Sequence, residues 1–212
     1  MKGQNMEVTE ITAITKARYR IVLDGEISFV LYKGELRRFH MKQGEELMED
    51  AYSCILHEIL PKRAKLRCMN LLKSKDYTKK QLEDKLKQGG YPAKIIEEAI
   101  AYVESYGYVN DENYARAFIE YNIQAKSRKR IENDLLQKGI SKELIYKAFT
   151  DLEADGLEID EIAMIQKLLL KKNFHVQDAD YEERRKMCAF LYRKGFHTDA
   201  ISKALSLDIT SF

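Results

Sequence analysis

The sequence predicts a mainly α-helical protein made of three tandem three-helix repeats, preceded by a small β-hairpin module at the amino-terminal end. Apolar residues and glycines recur 49 positions later in the chain. The clearest pairs are Leu82 and Ile131, Leu86 and Leu135, Gly90 and Gly139, Ala99 and Ala148, and Gly107 and Gly156. A looser third copy lies 56 positions beyond the second. A period near 50 residues with helical spacing indicates stacked helical units, which are expected to form an elongated, curved array.

Composition agrees with this fold class but does not assign a function. The chain has only two prolines, no tryptophan and a third of its residues charged, as is typical of helical proteins. Its 36 basic residues are nearly balanced by 34 acidic ones, so the net charge is only +2. The bulk charge therefore does not indicate a nucleic-acid-binding protein, and the positions of the charges have to decide.

Residues 1–44 are predicted to form a β-hairpin module. The segments Arg18 to Leu23 and Glu26 to Leu31 are rich in aromatic and β-branched residues, and they flank Asp24-Gly25, which tolerates the positive φ of a tight turn. A second turn at Lys33-Gly34 leaves open whether a further strand or a short helix follows. Because two strands alone are only marginally stable in water, we expect the module to pack on the neighbouring helices.

Residues 45–60 are predicted to form a connecting helix that Pro61 ends, since proline disfavours a helical conformation in the residue before it. Repeat 1, residues 61–110, then contains three helices. The second is expected to begin at Thr78 in a capping box, and the third after Pro92.

Repeat 2 is predicted over residues 111–159 and repeat 3 over residues 160–212. In repeat 2, Ser127 and Ser141 are expected to precede the second and third helices as caps. Repeat 3 carries seven extra residues, which a loop before its second helix can absorb at little entropic cost.

The junction between repeats 1 and 2 is interpreted as structural. Gly107 is expected to close a helix in the left-handed conformation, and Asp111 to cap the next one. Tyr108, Asn110 and Tyr114 complete the segment, in which the two tyrosines are expected to pack. A glycine and a cap already account for the spacing, so direct binding by these residues is not inferred.

The sequence contains no motif for catalysis or cofactor binding. It has neither a Gly-x-x-x-x-Gly-Lys phosphate loop nor a Gly-x-Gly-x-x-Gly segment after a strand, and its four histidines lack a second ligand at helical spacing. We therefore predict no catalytic residue, no metal site and no cofactor. The three cysteines are expected to be reduced core thiols. Without a secretion signal or a membrane-spanning stretch, the protein is expected in the cytoplasm.

One charge pattern predicts a partner-binding site. In each repeat the second helix is expected to begin with cations in the same register, and we call these the three basic sets. They are Lys79 and Lys80 in repeat 1, Arg128, Lys129 and Arg130 in repeat 2, and Arg184, Arg185 and Lys186 in repeat 3. A cation at the amino end of a helix costs about 0.3 to 1 kcal/mol at an exposed site, and an anionic partner would remove this cost. The alternative is that these residues are only good surface helix formers copied by duplication.

Several segments together resemble the RecX family of bacterial regulatory proteins. They are the Gly-Tyr-Val-Asn-Asp-x-x-Tyr-Ala junction from Gly107 to Ala115, Lys-Gly-Ile-Ser at Lys138 to Ser141, Lys-Gly-Phe at Lys194 to Phe196, and the hairpin-bearing leader. The resemblance, which covers about Arg63 to Leu205, implies three tandem three-helix repeats. It also implies binding to the RecA recombinase filament on single-stranded DNA, usually with inhibition of strand exchange, ATP hydrolysis and repressor self-cleavage. The third junction, Gly156 to Asp160, lacks the tyrosine and asparagine, so equal contacts by all repeats are not expected.

Two other classes of protein remain open. A direct DNA-binding regulator would meet single- or double-stranded DNA through helix-turn-helix-like units, although its candidate recognition helix, Ala93 to Ser105, is acidic. A general helical scaffold would instead present an apolar, uncharged groove. Whichever class is right, the sequence leaves the oligomeric state open, and a monomer is expected because each repeat finds its packing partner within the chain.

Overall fold

The computed structural model describes residues 5–206. Residues 1–4 of the predicted leader module and residues 207–212 of predicted repeat 3 lie outside the described residues. The strands are β1 (Met6–Ala13), β2 (Arg18–Leu23), β3 (Ile27–Tyr32) and β4 (Glu46–Leu47). The helices are α1 (Lys33–Arg38), α2 (Glu49–Cys54), a π-helical turn (Ile55–Ile59), α3 (Leu60–Leu72), α4 (Lys79–Gln88), α5 (Ala93–Ser105), α6 (Asp111–Asn122), α7 (Arg128–Gln137), α8 (Lys142–Ala154), α9 (Glu161–Lys171), α10 (Tyr181–Arg193) and α11 (Thr198–Leu205). The chain divides into two compact units between Asn110 and Asp111.

The amino-terminal module is a four-stranded antiparallel sheet with the strand order β3-β2-β1-β4. The predicted hairpin is present as β2 and β3, and both residues of its turn have positive φ, +50° at Asp24 and +74° at Gly25. The sheet is larger than the predicted hairpin because β1 and the two-residue β4 extend it. The segment after Tyr32, which the sequence left open, is the short helix α1.

The predicted end of a helix at Pro61 is wrong. Helix α2, the π-helical turn and α3 run without interruption from Glu49 to Leu72, and β4 occupies the start of the segment predicted as a connecting helix. Proline lacks an amide hydrogen, and its ring crowds the carbonyl one turn earlier. In the π turn directly before it, the Leu60 N–H donates to the Ile55 carbonyl, and this wider turn accommodates the ring within a continuous helix.

A single apolar core joins the sheet to repeat 1. Phe29 and Leu31 from β3 lie in the same buried cluster as Ala64, Leu82 and Val103 from α3, α4 and α5. The amino-terminal module therefore packs on the helices that follow it, as the marginal stability of an isolated hairpin requires.

Repeats 2 and 3 each have a core of their own. Ile119, Ile131 and Phe149 are buried among α6, α7 and α8, whereas Ile165 and Leu191 are buried among α9, α10 and α11. The prediction of three tandem three-helix repeats is confirmed by these elements. Four of the seven extra residues of repeat 3 lengthen the predicted loop between α9 and α10, and the other three extend the start of α10.

Candidate partner-binding site

The first basic set opens α4 and is paired within repeat 1. Lys79 forms an ion pair with Glu104 of α5, and the Lys80 ammonium lies 3.0 Å from Asp84 and 3.3 Å from Glu83. The hydrogen bonds from Lys80 to Asp84 and Glu83 raise the pKa of its ammonium group. Both charges at this helix start therefore already have anionic partners.

Arg128, in the second basic set, bridges two helices of repeat 2. Its Nε lies 3.1 Å from Glu132 of α7, and its Nη1 pairs with Glu153 of α8. Its guanidinium also lies 4.3 Å from the ring centroid of Phe149, which is fully buried. These contacts make Arg128 part of the packing of the repeat.

The other two members of the second set differ from each other. Arg130 lies 3.1 Å from Asp134 one turn later in α7. Lys129 has no carboxylate within ion-pair distance in residues 5–206, and its ammonium lies 5.8 Å from the ring centroid of Tyr192. Lys129 is therefore the cation of this set that a partner can reach without displacing an internal carboxylate.

The third basic set does not lie at the start of its helix, and that part of the prediction is wrong. Helix α10 begins at Tyr181, where Asp180 and Glu183 form a capping box, and Glu182 and Glu183 are in the first turn. The capping box starts the helix earlier than in the other repeats, which shifts the cations into the second turn. The unfavourable placement of cations at a helix start therefore holds only for the first two sets.

Two of these three cations share one carboxylate. Arg185 and Lys186 lie 3.6 Å and 3.4 Å from Glu182. The Arg184 Nε donates to the Ala179 carbonyl at 3.1 Å, and no carboxylate lies within ion-pair distance of Arg184 in the described part of the chain. Arg184 thus resembles Lys129 in keeping its charge unpaired.

At the starts of α4 and α7, a capping side chain accepts a hydrogen bond from one backbone amide. Thr78 accepts a hydrogen bond from the Gln81 amide at 3.2 Å in the predicted capping box. Ser127 accepts from the Arg130 amide at 3.4 Å and donates to the Lys194 carbonyl at 2.8 Å. One backbone amide at each of these two helix starts therefore already has a partner.

The end of repeat 1 has the predicted backbone conformation. Gly107 follows α5 with a φ of +70°, in the left-handed region that favours glycine. Asp111 is the first residue of α6, one position later than a cap, and Asn110 precedes it.

The two tyrosines of the junction pack to different extents. Tyr114 is half-buried and its ring stacks on Phe118 with centroids 6.3 Å apart. Tyr108 stacks on Tyr106 at 6.0 Å, but it is 55% exposed and not packed as expected. The neighbouring Val109 is buried instead, and its side chain belongs to the core of repeat 1.

A further cluster of cations escapes sequence analysis. Arg18, Arg63, Arg67 and Lys85 line a pocket of about 400 Å³, which we call the cationic pocket. These residues come from β2, α3 and α4, and only folding brings them together. Arg63 and Arg67 lie four positions apart on α3, but Arg18 and Lys85 are distant from them in the sequence, so no local motif marks the cluster.

The structure gives no sign of a metal centre or a membrane segment in the part of the chain it describes. Between residues 5 and 206, no three histidine, cysteine or acidic side chains are placed so that they could hold a metal ion. Within the same residues, every helix is too short or too polar to cross a bilayer.

All three repeats match models of one protein family. The models describe the first, second and third three-helix domains of RecX, and they match residues 64–102, 110–148 and 158–205. The regulatory protein RecX of Caldanaerobacter subterraneus subsp. tengcongensis is 35% identical, over 95% of this chain and 100% of that protein. The regulatory protein RecX of Clostridium beijerinckii is 27% identical, over 98% of this chain and 99% of that protein.

Two solved structures have a similar fold. A crystal structure of regulatory protein RecX aligns with a TM-score of 0.61 at 23% identity, covering 95% of this chain and 98% of the other. The crystal structure of RecX from Lactobacillus salivarius aligns with a TM-score of 0.57 at 25% identity, covering 69% of this chain and 95% of the other.

Proposed function

Because the chain belongs to the RecX family of regulatory proteins, we propose that it binds the RecA recombinase filament on single-stranded DNA and inhibits it. The inhibited activities would be strand exchange, ATP hydrolysis and the stimulation of repressor self-cleavage, in DNA repair and the SOS response. The observation that carries the proposal is the 35% identity to a regulatory protein RecX across 95% of the chain.

Inhibition of this kind requires no chemistry from the chain itself. A ligand shifts a conformational equilibrium only by binding one state more tightly than the other. A body of tandem helical repeats presents contacts spread over several helices, and such contacts fit one spacing of filament subunits better than others. The protein would thus hold the filament in a state in which the recombinase is inactive.

Lys129 and Arg184 are the cations of the basic sets best suited to contact the filament. Neither has a carboxylate within ion-pair distance in the described residues, so an anionic group of the filament can pair with either without displacing an internal carboxylate. The paired cations can contribute as well, because an exposed ion pair contributes only about 0 to 1 kcal/mol and can be exchanged for the partner's phosphates or carboxylates. Added salt should therefore weaken the complex.

ATP hydrolysis by a cognate RecA on single-stranded DNA tests the proposal. We expect the purified protein to slow hydrolysis at substoichiometric amounts, because one bound copy would contact neighbouring filament subunits. The control is the same titration with the protein added to RecA lacking DNA. An unchanged rate of ATP hydrolysis at equimolar protein would contradict the proposed function.

A comparison of DNA substrates separates this function from that of a direct DNA-binding regulator. We expect tighter binding to RecA-coated strands than to bare strands, whereas the rival function requires the opposite order. In repeat 1 the helix that would have to read DNA is α5, on which Glu97 and Glu98 are exposed and would repel phosphates.

A further inference from the structure

The cationic pocket lies between the amino-terminal sheet and repeat 1. Arg18 begins β2, Arg63 and Arg67 lie one turn apart on α3, and Lys85 lies on α4. The backbone of Gly89 also lines the pocket. Because the sheet and repeat 1 share one core, these elements are held in fixed positions relative to each other.

Two of the arginines are held in place by the folded chain. Arg18 donates from Nη2 to the Gly89 carbonyl at 3.0 Å. Arg63 donates to the Val30 carbonyl at 2.6 Å and to Glu35 at 3.0 Å, and only 18% of its side chain is exposed. A ligand that meets such fixed groups loses little affinity to the ordering of side chains.

The positive charge of the pocket is mostly uncompensated. Its lining contains four cations and no carboxylate. Within residues 5–206, Glu35 pairs with Arg63, but Arg18, Arg67 and Lys85 have no carboxylate within ion-pair distance. Like charges gathered without counter-charge repel one another, and an anion bound among them would relieve this repulsion.

Two tyrosines give the pocket an aromatic wall. The Arg63 guanidinium lies 4.9 Å from the ring centroid of Tyr32 and 5.7 Å from that of Tyr91. Burial raises the pKa of the Tyr91 hydroxyl, and the charges of Arg63 and Arg18 oppose this shift. At neutral pH the hydroxyl therefore keeps its proton and can donate a hydrogen bond to an anion.

The size and donor set of the pocket favour a phosphate ester over a simple anion. A volume of about 400 Å³ is far larger than one phosphate group requires and lies within the range of small-molecule sites. Guanidinium groups bind phosphate oxygens in a bidentate manner, and aromatic rings offer a surface to a base or sugar.

We propose that the cationic pocket binds a nucleotide through its phosphate, with Arg67 and Lys85 as the main contacts. Both side chains are exposed and free of ion pairs in the described chain. The nucleotide is either one unit of a single strand or a free mononucleotide, since both present the same phosphate ester. The proposal requires no recombinase and stands apart from the function proposed above.

Fluorescence anisotropy with a labelled oligothymidylate of about 12 nucleotides, in the absence of RecA, tests the site. We expect the double variant Arg67→Ala and Lys85→Ala to bind roughly tenfold more weakly, with a salt dependence reduced by about one to two phosphate contacts. The matched control is Lys62→Ala with Lys94→Ala. It removes the same charge from exposed positions of α3 and α5 that do not line the pocket, and it should bind within about twofold of wild type.

Competition identifies the source of the phosphate. Displacement of the probe by thymidine 5′-monophosphate, but not by thymidine, would support a single-nucleotide site. Displacement by unlabelled oligothymidylate alone would support a site for the strand backbone. Wild-type affinity of the double variant, with unchanged circular dichroism and melting temperature, would overturn the proposal. So would equally effective displacement by polyglutamate, which carries the charge without the phosphate.

Discussion

Gly90 packs so closely against Val30 that the valine side chain occupies the position that a β-carbon on residue 90 would need. Gly90 follows α4 with a φ of +77°, and Val30 is a buried residue of β3. The contact fixes the sheet against the second helix of repeat 1, next to the cationic pocket. Glycine is therefore required here both for the backbone conformation and for space.

We expect Gly90→Ala to lower the free energy of unfolding by about 2 to 4 kcal/mol, because left-handed strain and overpacking against Val30 add up. Urea unfolding followed by circular dichroism measures the loss. The matched control is Gly107→Ala, at a φ of +70° but with no atom within 4 Å of the added carbon, where strain alone should cost about 1 kcal/mol. Equal losses in the two variants would show that the contact with Val30 is unimportant.

The second prediction concerns Ser127, which is 1% exposed and joins the start of α7 to the end of α10. We expect Ser127→Ala to cost about 2 kcal/mol, because it removes a helix cap and leaves the Lys194 carbonyl without its donor. Ser141→Ala is the matched control. Its exposed hydroxyl caps the Leu144 amide at 3.3 Å and bonds the Glu143 side chain of the same helix, so it links no second helix and the cost should be about 1 kcal/mol. Urea unfolding measures the free energy of unfolding of both variants. A smaller loss for Ser127→Ala than for Ser141→Ala would contradict the role of the Ser127 hydroxyl in linking α7 to α10.

The elements that sequence analysis predicted depend on local signals. Asp24-Gly25 forms its turn and Thr78 its capping box with neighbours a few positions away, so their residue types alone indicate the structure. The repeat pattern extends this local reading to the whole helical part of the chain. The loop before α10 was predicted because added residues cost least in a loop, but it takes up only four of the seven, and the other three extend the start of α10.

The features that were missed or wrong depend on distant or competing interactions. The rule that proline ends a helix failed at Pro61 because a π turn relieves the clash. The basic sets were visible in the sequence, but their partners Glu104 and Glu153 come from other helices. The cationic pocket is formed by β2, α3 and α4 together, and no sequence pattern indicates that Arg18 and Lys85 line the same pocket.

Cysteine reactivity gives the third prediction. Burial raises the pKa of the Cys68 thiol to about 11, whereas Cys54 and Cys188 are only half-buried. At pH 8 we therefore expect iodoacetamide to label Cys54 and Cys188 well before Cys68, since the thiolate is the reactive form. Mass spectrometry of peptides at successive times measures the order, and labelling in denaturant is the control in which all three should react. Early labelling of Cys68 would show that its core opens readily.

The same burial predicts a pH effect on stability. The pKa of the Cys68 thiol is about 11 in the folded chain. In the unfolded chain, where the thiol is in water, the pKa has its ordinary value of 9.0. Its contribution is therefore complete below pH 9 and is lost as the pH rises towards 11, because only the unfolded chain releases the proton. In the Cys68→Ala variant, the free energy of unfolding should fall less between pH 8 and pH 11 than it does in the wild-type protein. An identical slope would assign the decline to other groups.

The last prediction separates the packing role of Arg128 from the binding role of Lys129. Arg128→Ala should lower the free energy of unfolding by about 1 kcal/mol, because it removes two ion pairs and the contact with Phe149. Lys129→Glu should leave the melting temperature near wild type and weaken binding to RecA-coated single strands several-fold, since this cation lacks an internal carboxylate partner in the described residues.

Lys142→Glu is the matched control for Lys129→Glu, because it makes the same charge change at an exposed position of repeat 2 outside the basic sets. Its affinity for coated strands should stay within about twofold of wild type. Reversal of all of the second set at once is a poorer test. It would place a carboxylate at residue 128 beside Glu132 and Glu153, and the resulting repulsion would destabilise the repeat. If Lys129→Glu and Lys142→Glu weaken binding equally, long-range charge explains the effect and Lys129 makes no specific contact.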